Sequence, residues 1–297
     1  MEWSSTELMP LLENETRYKD VYLTGYSRIA QKDAVHQHIT YNFEDTVLGT
    51  LKKVFAPDEQ FNMMGVGVGA GKDEIAFMKS LRPFYQKISC TAVEPNARLL
   101  QTFKQNLKSA DITPPVDVKY FRETFRQYFD RRADADEKFH LISSINSLYY
   151  LGEIKESMDK LLATLKENGI LLLMVNSEHS VSAKLRKAVP ILDRQDGHIV
   201  FTNEDVRREA HGRGCDVTEI PVRLTMNVTE LFDTASDFGN KILDFFTMTS
   251  YFRQTAPKAL VEEVMEFWRD NISRDESCRC RVHFEEYLMV VQKCSHL

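Results

Sequence analysis

Met64-Gly65-Val66-Gly67-Val68-Gly69-Ala70-Gly71 is followed about 20 residues later by Val93-Glu94-Pro95, and this pairing decides the fold. An apolar lead-in brings the backbone to a glycine-rich turn, and a second apolar run ends in one carboxylate. That is the layout of a nucleoside-binding α/β unit. Glycine permits the tight turn and lets backbone N–H groups approach a ligand closely. A carboxylate at the end of the second strand can accept two hydrogen bonds from a ribose diol. A glycine run alone is also what a plain tight turn uses, so the acid at this distance selects the nucleoside site.

The chain around this motif has the size of one elaborated α/β domain, at 297 residues, and its 43% apolar content is enough for a large core. A net charge of −6 with no basic run argues against a nucleic-acid surface. No apolar segment reaches the roughly 20 residues that span a bilayer. The first residues, Met1-Glu2-Trp3-Ser4-Ser5-Thr6, lack the basic-then-apolar pattern of a signal peptide. Cys278 and Cys280 stand too close for a zinc pair of the usual spacing, and Cys90, Cys215 and Cys294 are scattered. Reduced thiols in a cytoplasmic monomer, without nucleic acid, membrane or metal, are the expectation.

Strands and helices alternate along the chain. Residues 1–20 are polar and expected to be loosely held. Residues 22–54 carry Tyr22, Tyr26, Ile29, Phe43, Val47, Leu48 and Leu51 at helical spacing, which predicts a helical cap ahead of the sheet. Strands are predicted at 61–67, 87–93, 116–121 and 139–145, with helices over 73–84 and 96–109 between them. A helix over 153–166 is expected to stop at Asn168-Gly169, ahead of the aliphatic strand 170–175. Further on, Thr202 or Asn203 caps a helix, 216–224 reads as a strand, 240–249 and 259–268 as helices, and 286–291 as the last strand. The pattern predicts one domain with a mostly parallel, doubly wound sheet, an antiparallel last strand and helical additions, with insertions over 178–280.

Spacing alone leaves a dinucleotide enzyme and a methyltransferase both open. The stretch after the fourth strand separates them: Ser143-Ser144-Ile145-Asn146-Ser147-Leu148-Tyr149-Tyr150, a helix, then Asn168-Gly169-Ile170-Leu171-Leu172. That order is similar to the Rossmann-like class I methyltransferases, which use S-adenosylmethionine. Ile145-Asn146-Ser147-Leu148-Tyr149-Tyr150 resembles the Ile-Gln-Met-Leu-Tyr-Tyr segment of the histamine N-methyltransferase family, and Val93-Glu94-Pro95 its Val-Glu-Pro. Asp244-Phe245-Phe246-Thr247 with Thr255-Ala256-Pro257, and His36-Gln37, resemble further segments of that family. The similarity runs from about residue 20 to the end.

The resemblance implies S-adenosylmethionine as cofactor, contacted by Gly67, Gly69, Gly71, Glu94, Asn96, Thr124 and Ile145. Leu99 and Phe125 stand where the family has a glutamine and a serine, and Asn146 keeps a carboxamide on a shorter arm. On the substrate side the family's glutamate and asparagine fall on Val35 and Glu286, and its two tryptophans on Ser182 and Arg186. The resemblance therefore implies an amine acceptor whose counter-charge has moved to Glu286, with Tyr22, Tyr26, Tyr150 and Phe245 lining the site. Asn146, Tyr149 and Glu286 would orient the acceptor nitrogen.

Residue type alone offers plainer readings. Glu286 adjoins Glu285 as a solvated acid would, Arg186 lies among Lys184 and Lys187 as on a solvated helix face, and His36, His38, His179 and His198 are bases by type only. Methyl transfer disperses charge rather than creating it, so positioning and desolvation are expected to dominate over strong acid–base catalysis. The expected activity is N-methylation of a small amine such as histamine. Methylation of another small metabolite, or a silent binding scaffold, are the alternatives.

Overall fold

A computed structural model describes residues 8–131, 137–194 and 201–294. His198 lies outside the described residues. The strands are β1 (Gln60–Val66), β2 (Lys87–Val93), β3 (Asp117–Phe121), β4 (Phe139–Ile145), β5 (Leu165–Asn176), β6 (Cys215–Asn227), β7 (Ser273–Arg274) and β8 (Cys280–Lys293). They form one sheet in the order β3-β2-β1-β4-β5-β8-β6, with β7 paired to β8 off that path. β1 lies parallel to β2 and β4, β2 to β3, and β4 to β5. β8 reverses: Arg223 meets Glu285 and Thr225 meets His283, so β8 runs antiparallel to β6. This is the mostly parallel sheet with an antiparallel last strand that the alternation predicts. Among the described residues no helix is long and apolar enough to cross a membrane.

The chain divides into two compact units. One holds Val35–Val175, Phe201–Pro221 and Tyr287–Leu297, and it carries the sheet with the glycine turn. In it, Leu141, Ile142 and Ile170–Val175 are buried, as expected of strands covered on both faces. The other holds the chain up to Ala34, Asn176–Val200 and Val222–Glu286, and is mainly helical.

Several elements differ from the sequence reading for identifiable reasons. Residues 8–20, within the segment expected to be loosely held, make specific contacts. Leu11 is fully buried, its N–H donates to the Met248 carbonyl (2.8 Å), and Glu15–Asp20 is a helix capped by Asn14. The polar look of this segment hides Arg17, which is buried against Asp244. The helix expected to reach Lys166 stops at Thr164, and β5 begins at once. Asn168 does adopt a left-handed φ of 60°, but as a kink inside β5: Phe139 pairs with Leu165 and Leu141 with Ile170, so the strand bulges there. β8 starts at Cys280, not Glu286, because its first half alternates Cys280, Val282, Phe284 and Glu286 inward with Arg281, His283 and Glu285 outward. Arg186 is not on a solvated face; it is buried and Nη1 donates to the Leu192 carbonyl (2.7 Å).

Candidate active site

In the sheet unit, the ends of β1, β2 and β4 converge on the glycine turn. Gly67 N–H donates to Val93 O (2.8 Å), and Gly71 N–H closes the turn onto Val68 O (2.9 Å). Gly67, Gly69 and Gly71 all have left-handed φ, at 65°, 54° and 71°. A Cβ on Gly67 would collide with Ser147, and one on Gly71 with the Phe103 ring. At Gly69 a Cβ would meet nothing within 4 Å, so this glycine faces open space. From Gly71 the helix Lys72–Leu81 starts.

Glu94 closes the other side. Its N–H extends the sheet to Phe121 O (3.0 Å) and its carboxylate is buried. One oxygen accepts from Gly69 N–H (3.0 Å) and the other from Asn96 N–H (2.9 Å). A carboxylate has about four acceptor positions, so each oxygen keeps one for a further donor. At the end of β4, Ser147 Oγ donates to Val66 O (2.7 Å) and lies 2.8 Å from Ser144 Oγ, which ties β4 to β1. Asn146, between those serines, takes a left-handed φ of 52° and is exposed, while Ile145 is half-buried.

Other expected cofactor residues have structural occupations. The Asn96 side chain caps the helix Ala97–Ser109 by accepting from Arg98 and Leu99 N–H. Thr124 and Gln127 cap the next helix reciprocally: Gln127 N–H donates to Thr124 Oγ1, and Thr124 N–H to Gln127 Oε1. Leu99 is exposed, whereas Phe125 is buried and packs beside Phe129. Tyr149 and Tyr150 come just after β4 with ring centroids 4.4 Å apart, and Tyr150 is exposed. Val35 is buried in this unit, as its apolar side chain requires.

The helical unit brings together the remaining expected residues. Residues 21–26 wind as a π-helix, and Tyr18, Tyr22 and Tyr26 form a column with centroids 5.9 and 6.2 Å apart. Tyr26 stacks on Phe245 at 3.8 Å and 11°. Gly25 allows this approach, because a Cβ there would come within 2.9 Å of the Lys241 Cβ. Lys32 lies over the Tyr22 ring (3.7 Å to its centroid) and hydrogen-bonds its hydroxyl. Glu286 is also in this unit. It is 6% exposed, and among the described residues its side chain has no ion pair. Burial alone pushes its carboxyl up to about 7. Burial, and next the Glu286 charge, hold the Tyr26 hydroxyl well above its ordinary range, so acid and ring are electrostatic neighbours.

Two features go beyond what the sequence predicts: the burial of Glu74 and the pairing of His36 with Asp73. Glu74, in the first turn of Lys72–Leu81, is 3% exposed and is pushed up to about 8, chiefly by burial, then by the charge of Asp73. Its signal was present: Glu74, Met78 and Leu81 share one helix face, and the other two are core residues. His36 Nδ1 lies 2.5 Å from Asp73 Oδ1, which joins the helix Lys32–Asn42 to the same first turn.

This geometry agrees with comparison to known proteins. A family model described as a methyltransferase domain matches residues 40–220. The chain belongs to that family. Among curated proteins it is similar to the histamine N-methyltransferase of Rattus norvegicus, 24% identical over 82% of this chain and 85% of the relative. The histamine N-methyltransferase of Xenopus tropicalis is 23% identical over 87% and 88%. Among solved structures, a putative methyltransferase from Bacillus halodurans superposes with a TM-score of 0.54 at 15% identity, covering 84% of this chain and 99% of that one. The YcgJ protein of Bacillus subtilis gives 0.53 at 14%, covering 84% and 98%. S-adenosylmethionine is the methyl donor of this class, and the site fits it: Gly69 leaves the turn open, and Glu94 keeps acceptor positions for a ribose diol.

Proposed function

We propose that the chain N-methylates a small amine, with Glu94 and the glycine turn holding the donor's ribose and Glu286 holding the acceptor. The observation that carries this is Glu286, 6% exposed beside the Tyr26–Phe245 stack and without a side-chain ion pair among the described residues. A buried acid without a partner is costly, and a cationic ligand relieves that cost. Tyr26 and Phe245 stack on each other and Lys32 already covers the Tyr22 ring, so these aromatics shape the apolar wall beside Glu286 and the charge on the ligand is met by the carboxylate.

S-adenosylmethionine supplies an electrophilic methyl group on a sulfonium. A nitrogen that carries a proton in place of its lone pair cannot attack that carbon. The nitrogen paired with Glu286 is therefore distinct from the one methylated, and the acceptor has one cationic and one neutral nitrogen. In the sheet unit Asn146 and Tyr149 are proposed to orient the neutral nitrogen, with a water taking its proton afterwards. Histamine has this chemistry, and the curated relatives that share most of the chain's length carry it in their names.

Release of S-adenosylhomocysteine across a panel of amines and amino acids tests the reading. Turnover of amines with two nitrogens is expected; turnover of amino acids alone overturns it. Glu286→Gln is expected to raise the amine KM roughly 10- to 100-fold with kcat little changed, the loss of one charge-assisted hydrogen bond. Because burial raises the Glu286 carboxyl to about 7, its negative charge appears only as pH rises through that value. The wild-type KM for a cationic amine should thus fall between pH 6 and 8, and the Gln variant should lose this dependence. Unchanged kinetics for every amine would remove Glu286 from the site.

A further inference from the structure

Glu74 is a buried acid that donor binding by Glu94 and the glycines does not use. Three contacts place it beneath the glycine turn. Ser143 Oγ, on β4, donates to Glu74 Oε1 (3.0 Å). The same hydroxyl lies 3.5 Å from Met64 O, on the strand that leads into the turn. Gly65 packs so closely over the acid that a Cβ there would come within 2.9 Å of Glu74 Cγ. The helix, β4 and β1 therefore meet at this one side chain.

We propose that Glu74 is a positioning residue for the donor-binding turn, acting as a neutral acid whose ionisation loosens the turn and weakens donor binding. A hydroxyl has a single proton to donate. When Glu74 carries its own proton, the acid O–H can donate to Ser143 Oγ, and Ser143 is free to donate to Met64 O. When Glu74 is ionised, Ser143 must turn its proton to the carboxylate, and the link to β1 is given up. A second negative charge then also stands near Glu94, whose two oxygens anchor Gly69 and Asn96.

The groups facing Glu74 favour the neutral form. Asp73, on its own helix, and Glu94, at the end of β2, both raise its pKa. Cys90, from β2, is a buried thiol that burial and the Glu74 charge push up. Ser143, from β4, stabilises the ionised form, together with Glu74's own N–H. Lys72 precedes the acid pair on the helix, and His36 is drawn to Asp73.

This role for Glu74 rests on the turn being the donor site, and calorimetry with S-adenosylhomocysteine from pH 7 to 10 separates the two. No binding by the wild type at pH 7 overturns the donor site itself. In the wild type, affinity is expected to fall about tenfold per pH unit above a midpoint near 8. Glu74→Gln keeps a hydrogen-bonding head without the charge, and is expected to match the wild type at pH 7 and to lack the part of the wild-type fall that Glu74 causes. Glu74→Ala should bind weakly at every pH. The ligand's amino group titrates alike in all three, so the difference isolates residue 74. Parallel wild-type and Glu74→Gln profiles overturn the proposal, as does a Gln variant that binds as weakly as Ala. Should the Gln variant not fold, 5′-methylthioadenosine replaces it as the test, since it has no group titrating in this range. Its binding to the wild type at pH 9 should take up close to one proton, and uptake of none overturns the proposal.

Discussion

Glu94→Ala is expected to weaken S-adenosylhomocysteine binding by roughly two to four orders of magnitude while leaving the fold intact. Two proposed ribose hydrogen bonds to a charged acceptor are lost, each worth about 1.5–3 kcal/mol, and each 1.4 kcal/mol is tenfold in Kd. The same truncation frees Gly69 N–H and Asn96 N–H, which Glu94 holds at 3.0 and 2.9 Å. The turn thus loses its anchor along with its ligand contact. Glu94→Gln is the informative companion: it keeps one acceptor oxygen but sets an amide N–H₂ against a backbone donor. It should lose affinity as well, by less. Calorimetry gives the Kd and circular dichroism reports the fold. A loss below about tenfold for the Ala variant would mean that the ribose is held elsewhere.

Asp244→Ala is expected to destabilise the helical unit by about 3–5 kcal/mol, the cost of leaving one member of a buried ion pair alone. Asp244 is fully buried and accepts from Arg17 (2.8 Å), from Tyr251 N–H (2.8 Å) and from Phe252 N–H (2.9 Å). Removing it leaves Arg17 with the more exposed Asp20, at 3.4 Å, and strands two backbone donors. Asp244→Asn retains an acceptor for the backbone but not the charge, and should cost less. Urea unfolding followed by aromatic fluorescence measures both, and the double variant with Arg17→Ala isolates the pair. An Asp244→Ala variant within about 1 kcal/mol of wild type would show that the pair contributes little. Phe245 is the next residue and stacks on Tyr26, so the variant should also weaken amine binding in the proposed site.

Most of the sheet was legible because its signals are local. Val93-Glu94 ends a strand because β2 is apolar and buried, and the three positive-φ glycines occupy the turn that their spacing predicts. Asn96 and Thr202 stand at helix starts, as short polar side chains do. The part that stayed hidden depends on burial of charge. Arg17, Glu74, Asp244 and Glu286 all read as surface residues by type, yet each is buried. Glu286 shares the inward row of β8 with Val282, Phe284 and Leu288, and Glu74 the inner face of its helix with Met78 and Leu81. Periodicity holds that information, but residue class conceals it. Asn96 and Thr124 illustrate the converse, since their side chains serve as helix caps whatever their place beside a ligand.

Gly69 differs from its neighbours in having empty space where a side chain would point. Gly67 and Gly71 cannot gain a side chain without moving Ser147 or Phe103, but an asparagine at Gly69 tolerates left-handed φ and would project into the open space proposed for the donor. Gly69→Asn therefore offers a folded, donor-blind form of this protein. Comparing that form with the wild type would separate any task the chain performs by its shape from those that depend on methyl transfer.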